Sequence, residues 1–584
     1  MRKLTLILMR ALACASILVA CGAAFRLNAQ TPDPGAPGPL AVTREEYDYG
    51  NLAFTPTGFP SAVELKASVH YPTGLPGGPY PLIVFLHGRH VTCYRNTTTA
   101  LRWPCRNGET VIPSYQGYDY IAQNLASNGY IVVSISANGI NAFDNNVNDL
   151  GAQARAELIQ RHLQQWNTFN TAGAAPFGTK FVGKVNLQKV GTMGHSRGGE
   201  GVVKHYVYNI SQGSPYGIKA VFPLAPVDFN RPVANNTALA VALPYCDGDV
   251  NDNQGVHFYD DARYNVAGDT SPKHTIQVMG ANHNYFNTVW TPGLFPAGGA
   301  DDWTFTSGGS ADAQCGTGAG NHRLTPTQER GVGLAYISAV MRAYVGGETQ
   351  FLPYLTGEAA PPPSAQTSEI HVSYHAPDTA ATRRDVNRLL TSTNLTTNTL
   401  GGATTQTGLT PHDLCGGPSP QPQHCLPTTQ ATTRQPHTTP SARATTLRGL
   451  SQLRTGWSAT TANYRNDLPT GATNVSGFKW LTFRVSVNFN DTRNPAGIGQ
   501  NFSVVLTDGT GATSSVTVAS YSDVLFYPPG SVGPVPKVLL NTARIPVTAF
   551  SGVNLSDIRN VQFKFDQSPS GALLISDLAF SSAP

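Results

Sequence analysis

One stretch constrains the fold of this chain more than any other. An apolar strand candidate at 189–193 runs into Gly194-His195-Ser196-Arg197-Gly198, and a helical run follows at 200–209. A strand that reverses into a helix within so few residues needs a very sharp turn, and the residue at its tip must take a strained backbone conformation. Glycine two residues to either side removes the Cβ atoms that would clash. Such a turn lifts the Ser196 hydroxyl clear of a sheet, and it requires a parallel sheet for the helix to pack back against.

The flanking sequence agrees. Apolar strand candidates fall at 65–71, 82–86, 131–136, 189–193, 220–224, 238–245 and 275–279, with helical runs at 118–127, 149–166, 199–209 and 325–345. Strands that are apolar throughout, each followed by a helix, predict a mostly parallel sheet covered on both faces. The last helix shows its start: Thr325 as N-cap, Pro326 at the first helical position and Gln328 three residues on. After Pro361-Pro362-Pro363 the helical period disappears. A Thr-rich stretch at 390–446 reads as long surface loops or a partly mobile segment. Strand candidates then follow at 481–488, 502–507, 514–520, 538–546, 561–566 and 572–580, with Asp508-Gly509 as a turn, which predicts an all-β sandwich. The expected organisation is a signal peptide at 1–29, a flexible segment at 30–46, an α/β domain at 47–350, a linker at 351–366 and a jelly-roll-like β-sandwich at 367–584.

Composition limits the partners. Charged residues make up 13% of the 584, and the net charge is +4. Without a dense Lys/Arg stripe, nucleic acid is not an expected partner. Arg2, Lys3 and Arg10 precede an apolar run at 11–20, too short to stay in a bilayer, which is the pattern of an export signal. Cleavage after Ala29 gives a secreted chain, whereas cleavage before Cys21 would give a lipoprotein anchored to a membrane. Either route is extracytoplasmic. Setting aside Cys14 and Cys21 leaves six cysteines, and the expected pairing is Cys93–Cys105, Cys246–Cys315 and Cys415–Cys425.

Acyl transfer by a serine needs a base, a group that orients the base, and donors for the oxyanion. In a strand–turn–helix setting the acid and histidine follow the serine in that order along the chain. Cys246-Asp247-Gly248-Asp249-Val250-Asn251-Asp252 follows a strand and offers three acids. Spacing favours Asp249, with Asp247 and Asp252 as alternatives. A calcium loop is excluded, because Asp252 stands where glycine is needed and Phe258 where glutamate is needed. His283, in Gly280-Ala281-Asn282-His283, follows the next strand and is the expected base. His195 is read as packing. The expected oxyanion donors are the backbone N–H groups of Arg197 and of Arg89, after the strand that ends in His87-Gly88. The Arg197 side chain is expected to pair with Glu200. Tyr285, Phe286, Trp290, Phe295, Trp303 and Phe305 lie in a long Gly-rich insertion, which either walls an apolar pocket or fills the sheet end.

With these residues assembled, the segment 47–347 resembles the α/β-hydrolase superfamily, in the branch of dienelactone hydrolases, chlorophyllase-like enzymes and cutinase-like polyester hydrolases. The resemblance rests on His87-Gly88, Gly194-His195-Ser196-Arg197-Gly198, Leu224-Ala225-Pro226-Val227, Cys246-Asp247-Gly248-Asp249 and Gly280-Ala281-Asn282-His283. It implies Ser196, Asp249 and His283 as a triad, Arg89 and Arg197 as oxyanion donors, no metal and no cofactor. Arg197 stands where the cutinase-like enzymes carry Met or Gln, and Val227 where they often carry Trp. Gly-His-Ser-Arg is also similar to the Gly-Cys-Ser-Arg of glucuronoyl esterases, with Glu200 in place of their lysine. The closing strands resemble jelly-roll, galactose-binding-like modules, in which Trp457 and Trp480 would be candidates to stack on sugar. The expectation is an exported serine hydrolase acting on carboxylic esters, soluble or polymeric. A carbohydrate esterase that binds polysaccharide through its C-terminal domain is the second reading, and a non-catalytic surface protein the third.

Overall fold

The computed structural model describes residues 31–583, apart from 319, 367, 428–431 and 448. The export signal, with Cys14 and Cys21, lies outside the described residues. Nine strands form one mixed sheet: β1 (Val42–Asp48), β2 (Lys66–Pro72), β3 (Tyr80–Leu86), β4 (Ile131–Ile135), β5 (Val185–His195), β6 (Ile218–Leu224), β7 (Ala238–Pro244), β8 (Lys273–Val278) and β9 (Ile370–His375). Their spatial order is β1-β2-β4-β3-β5-β6-β7-β8-β9. The six from β4 to β8 are parallel, while β2 on one side and β9 on the other run antiparallel to them, and β1 pairs antiparallel with β2.

The period of two along β3 shows why both faces are covered. Leu82, Val84 and Leu86 enter one core with α2 (Ala152–Thr171), α3 (Arg197–Ser211) and α4 (Val256–Ala262). Ile83 and Phe85 enter the other, with α1 (Asp119–Ser127) and α5 (Pro326–Val340). Thr325 caps α5 through a capping box with Gln328.

Two expected boundaries move. The sheet begins at Val42, within the segment expected to be flexible, and ends with β9, inside the region assigned to the sandwich. Ile370–His375 pairs with all six residues of β8. The expected linker at 351–366 is packed structure, with Phe351 and Leu355 in the core and Ser364 held by Asp33 through its N–H and hydroxyl.

The second half consists of two antiparallel sheets. One has the order Leu409–Cys415, Gln452–Trp457, Gly571–Ser581, Trp480–Val487, Asn541–Pro546, with Arg383–Asn387 also paired to Gly571–Ser581. The other has the order Thr404–Thr407, Asn463–Asp467, Ile558–Lys564, Ser503–Asp508, Thr513–Thr517. Their inner faces share one core, with the Phe483 and Phe563 rings 4.8 Å apart. Two edge strands come from the Thr-rich stretch that was expected to be loop. β-branched threonine suits an edge strand, where one face packs and the other meets water.

All three expected disulfides form: Cys93–Cys105, Cys246–Cys315 and Cys415–Cys425. Among the described residues no helix is long and apolar enough to cross a membrane.

Buried charge joins the two halves. Asp260 of α4 accepts from Arg484 Nη1 at 2.9 Å and from His437 Nδ1 at 2.7 Å. Arg263 pairs with Asp577 of the closing strand.

Candidate functional site

Ser196 lies between β5 and α3 with φ +58° and ψ −124°, a conformation that side-chain-bearing residues rarely adopt. Its N–H donates to Leu224 O at 2.9 Å, which ties the turn to β6. The glycines around it are dictated by close approach. A Cβ on Gly194 would lie 2.0 Å from Gly198 O, and one on Gly198 would lie 2.5 Å from Leu86 O. A Cβ on Gly88 would lie 2.5 Å from the Cβ of Ser196, so the loop after β3 passes directly over the serine. His87 locks that loop: its Nδ1 lies 2.8 Å from Gly88 O, and its Nε2 accepts from Ala137 N at 2.8 Å. Burial lowers the His87 pKa to about 3, so the ring is neutral.

The parallel strands β7 and β8 carry the next two loops. Their ends stay hydrogen-bonded beyond the sheet, Tyr245 N to Val278 O and Cys246 N to Ala281 O, each 2.9 Å. The two loops therefore leave side by side, which brings Asp247 and His283 together. His283 Nδ1 lies 2.8 Å from Asp247 Oδ2, and both side chains are buried. The other oxygen of Asp247 accepts from Asp249 N (3.0 Å) and Val250 N (2.6 Å), so the carboxylate is fixed from both sides.

This corrects the choice of acid. Asp249 is not the Nδ1 partner; its carboxylate stands 3.6 Å from His283 Nε2, on the opposite edge of the ring, with 62% of the side chain exposed. Asp252 accepts from Gln254 N instead. The expectation counted residues from the end of an apolar run at Tyr245, but the strand ends at Pro244 and the chain turns at once. An Asx turn aims the first aspartate inward and the second outward. The neighbouring Cys246, pinned by its disulfide to Cys315, was the available signal.

His195 packs, as expected of it, and in doing so relates the serine turn to the histidine loop. Its ring centroid is 4.8 Å from that of His283 and 4.8 Å from Trp290, and its Nδ1 is 2.9 Å from the Tyr118 hydroxyl. Burial holds its pKa well below the ordinary value.

A residue the sequence reading missed holds the acid and histidine loops together. The carboxylate of buried Asp302 accepts from Gly248 N (2.8 Å), His283 N (3.0 Å) and Asn284 N (3.1 Å). Burial and the nearby Asp247 push its pKa up to about 7, against the pull of His283 and these N–H donors. No motif marks Asp302, because it sits in the Gly-rich insertion and acts only through folded backbone. Glu329 of α5 adds a bond from Asn282 N at 2.8 Å.

Burial would lower the pKa of His283, but Asp247, then Asp249 and Asp302, raise it to about 10. These carboxylates, Asp247 above all, favour the protonated imidazole.

Arg197 starts α3, and the first N–H groups of a helix have no partner within it. Its guanidinium does not pair with Glu200. Arg197 Nη1 lies 2.9 Å from both Asp144 Oδ2 and Asn145 Oδ1, and buried Asp144 also binds Arg155 (2.8 Å) and Arg89 (3.0 Å). Glu200 instead accepts from Asn230 N, and burial, then Asp228, pushes its pKa up to about 8. A cavity of about 190 Å³ opens beside Ser196, lined by Arg89, Arg197, Val227, Phe229, Asp249 and Gln254 among others.

The insertion aromatics do not line that cavity. Phe286, Trp290 and Trp303 are buried, and Trp290 stacks on His90 at 5.3 Å, so they fill the sheet end. Phe305 is exposed. In the second half Trp457 is core, stacked on Phe565 at 4.5 Å, while Trp480 lines a separate cavity of about 650 Å³ with Arg544 and Tyr521. In comparisons with known proteins, no family model matches the chain and no curated protein matches it significantly.

Proposed function

We propose that this chain is an exported serine hydrolase of the α/β-hydrolase type that cleaves carboxylic esters, with a C-terminal β-sandwich. One observation carries the reading: a serine at positive φ on a strand-to-helix turn, whose neighbour His195 packs 4.8 Å from the ring of His283, itself held at Nδ1 by buried Asp247. In this reading Ser196 Oγ attacks the ester carbonyl while His283 Nε2 takes its proton. Asp247 fixes the tautomer and stabilises the imidazolium that forms. The oxyanion is received by the backbone N–H groups of Arg197 and Arg89. The alcohol leaves with the proton returned by His283, and water then releases the acid from the acyl-enzyme. These residues supply the chemistry without a cofactor.

The small cavity, lined by Arg89 and Arg197 as well as Asp249 and Asp252, favours compact, polar esters over long acyl chains. The three disulfides and the lack of a membrane-crossing helix among the described residues are compatible with the proposed export.

The test is Ser196→Ala assayed on a short p-nitrophenyl ester, together with labelling of the unaltered chain by a fluorophosphonate. Turnover should fall by about four to six orders of magnitude with the fold intact. An unlabelled serine, or retained turnover in the variant, would overturn the reading.

A further inference from the structure

The loop that bears Asp247 is held from below by a residue of the other half. Lys537 is buried, and its Nζ donates to Tyr245 O at 3.0 Å and to Asn253 Oδ1 at 2.8 Å. Asn253 in turn donates to Pro244 O at 2.8 Å, so both ends of the acid loop are tied to this one ammonium. The segment that delivers Lys537 is itself docked. Tyr245 donates its hydroxyl hydrogen to Pro529 O and accepts from Lys537 N, and Asp312 Oδ2 accepts from Ser531 N and Val532 N. Val535 joins Tyr245, Trp303 and the Cys246–Cys315 pair in one buried cluster.

The charges acting directly on this ammonium are carboxylates. Three carboxylates act on it, Asp247 and Asp252 of the acid loop and Asp302 of the insertion; farther out, Glu329 of α5 faces Arg323, Tyr245 faces Arg434 and Asp312, and His283 lies against Asp247 and Asp302. Buried carboxylates are strongly destabilising without a counter-cation. Burial lowers the pKa of Lys537 to about 8, while Asp247, Asp252 and Asp302 hold it up.

We infer that Lys537 is a positioning residue of the Asp247–His283 pair, setting the pose of the acid loop and balancing its buried charge. The C-terminal half is thus part of the catalytic unit and not a detachable module. This rests on the proposed hydrolase only for its effect on turnover; its effect on His283 does not depend on that reading.

Two full-length variants test it. Lys537→Met removes charge and donors; Lys537→Gln keeps an N–H donor without the charge. The His283 titration is followed by NMR of histidine-labelled protein, assigned by the signal missing in His283→Gln. Lys537 is already largely neutral where the imidazole loses its proton, so its removal acts through the pose of Asp247: neither side chain can hold both Tyr245 O and Asn253 Oδ1 as Lys537 does, and in both variants the His283 titration should move down by at least about half a pH unit. On a soluble p-nitrophenyl ester, kcat should fall about tenfold or more with KM within about twofold. A folded Lys537→Gln that keeps the wild-type His283 titration would overturn the inference and leave Lys537 a structural tether. Should Lys537→Met not fold, Lys537→Gln alone decides. Should the unaltered chain hydrolyse no ester, the proposed function fails, while the titration still decides the role of Lys537.

Discussion

The two halves of this protein treat their polar groups in opposite ways. In the mixed-sheet half, parallel strands deliver loops to one end, where Ser196, Asp247, His283 and Asp302 converge from distant parts of the chain. In the antiparallel half the polar groups are spread along strands and turns, as when Asp508 accepts from Thr510 and Ala512 of its own turn and Asn387 donates to Asn466 of the facing sheet. A parallel sheet gathers unlike loops at one edge, whereas an antiparallel meander disperses them. The halves nevertheless meet through buried charge, at Lys537 beneath the acid loop and at Asp260 between Arg484 and His437.

The contrast is broken most severely at the loop edge. Asp247→Asn should lower kcat by about four orders of magnitude with the protein still folded, because the imidazole loses the carboxylate that orients it. Esterase kinetics beside a thermal melt check this. Equal losses from Asp247→Asn and Asp249→Asn would argue against the assignment of the acid.

The inter-half charge should show the reverse pattern. Asp260→Ala leaves Arg484 and His437 buried without their carboxylate, a loss of about 3–5 kcal/mol in stability by denaturant titration. Active-site labelling at low temperature should persist. The pH dependence follows from the sign of the shift. Despite burial, His437 and Arg484 hold the Asp260 pKa below its ordinary value. Its contribution is therefore present above the unfolded carboxylate pKa and is lost as the pH falls through the folded one. His283 works in the opposite sense. Its pKa is raised to about 10, so its contribution is full below about 6.5 and is lost as the pH rises through about 10. Melts between acid and alkaline pH of the wild type, Asp260→Ala and His283→Gln separate the two.

The disulfide Cys246–Cys315 ties the insertion to the acid loop across 69 residues. Replacing both cysteines by serine should cost about 2–5 kcal/mol and reduce kcat as Asp302 loses its fixed position. The corresponding change at Cys415–Cys425 should leave kcat unaltered, which side-by-side kinetics would show.

The smallest effect is expected at Asp249. Because it stands 3.6 Å from His283 Nε2, Asp249→Asn should lower the pKa of the base and move the acid limb of kcat/KM down by a fraction of a pH unit. A pH–rate profile gives the answer. An unmoved limb would show that exposure to water screens this carboxylate completely.

How much was legible varied with the range of the interaction. The serine turn could be read from five consecutive residues, since its glycines answer to contacts made within the turn and its two flanking elements. The parallel strands were visible as apolar runs, and the capped helix at Thr325 by its local pattern. The disulfide pairs were read as short loops for two and as neighbouring loops for the third. β9 was missed because its alternation of Ile370, Val372 and Tyr374 with polar residues resembles any half-buried strand. Only the free edge of β8 decides which sheet it joins. Thr404–Thr407 was missed because threonine is as frequent in loops, and Leu409–Cys415 because Pro411, His412 and Asp413 interrupt any apolar alternation; pairing at two sheet edges selected both as strands.

The sequence alone determined the chemistry available to this protein: a serine on a turn that only glycine permits, followed by an acid-bearing loop and a histidine-bearing loop in workable order. Which aspartate serves the histidine was decided by tertiary structure, because one residue of slack at the end of β7 sends Asp247 inward and Asp249 to water. Tertiary structure likewise recruited Asp302 and Lys537, whose roles rest on backbone N–H and C=O groups that exist in every residue and become specific only through folding.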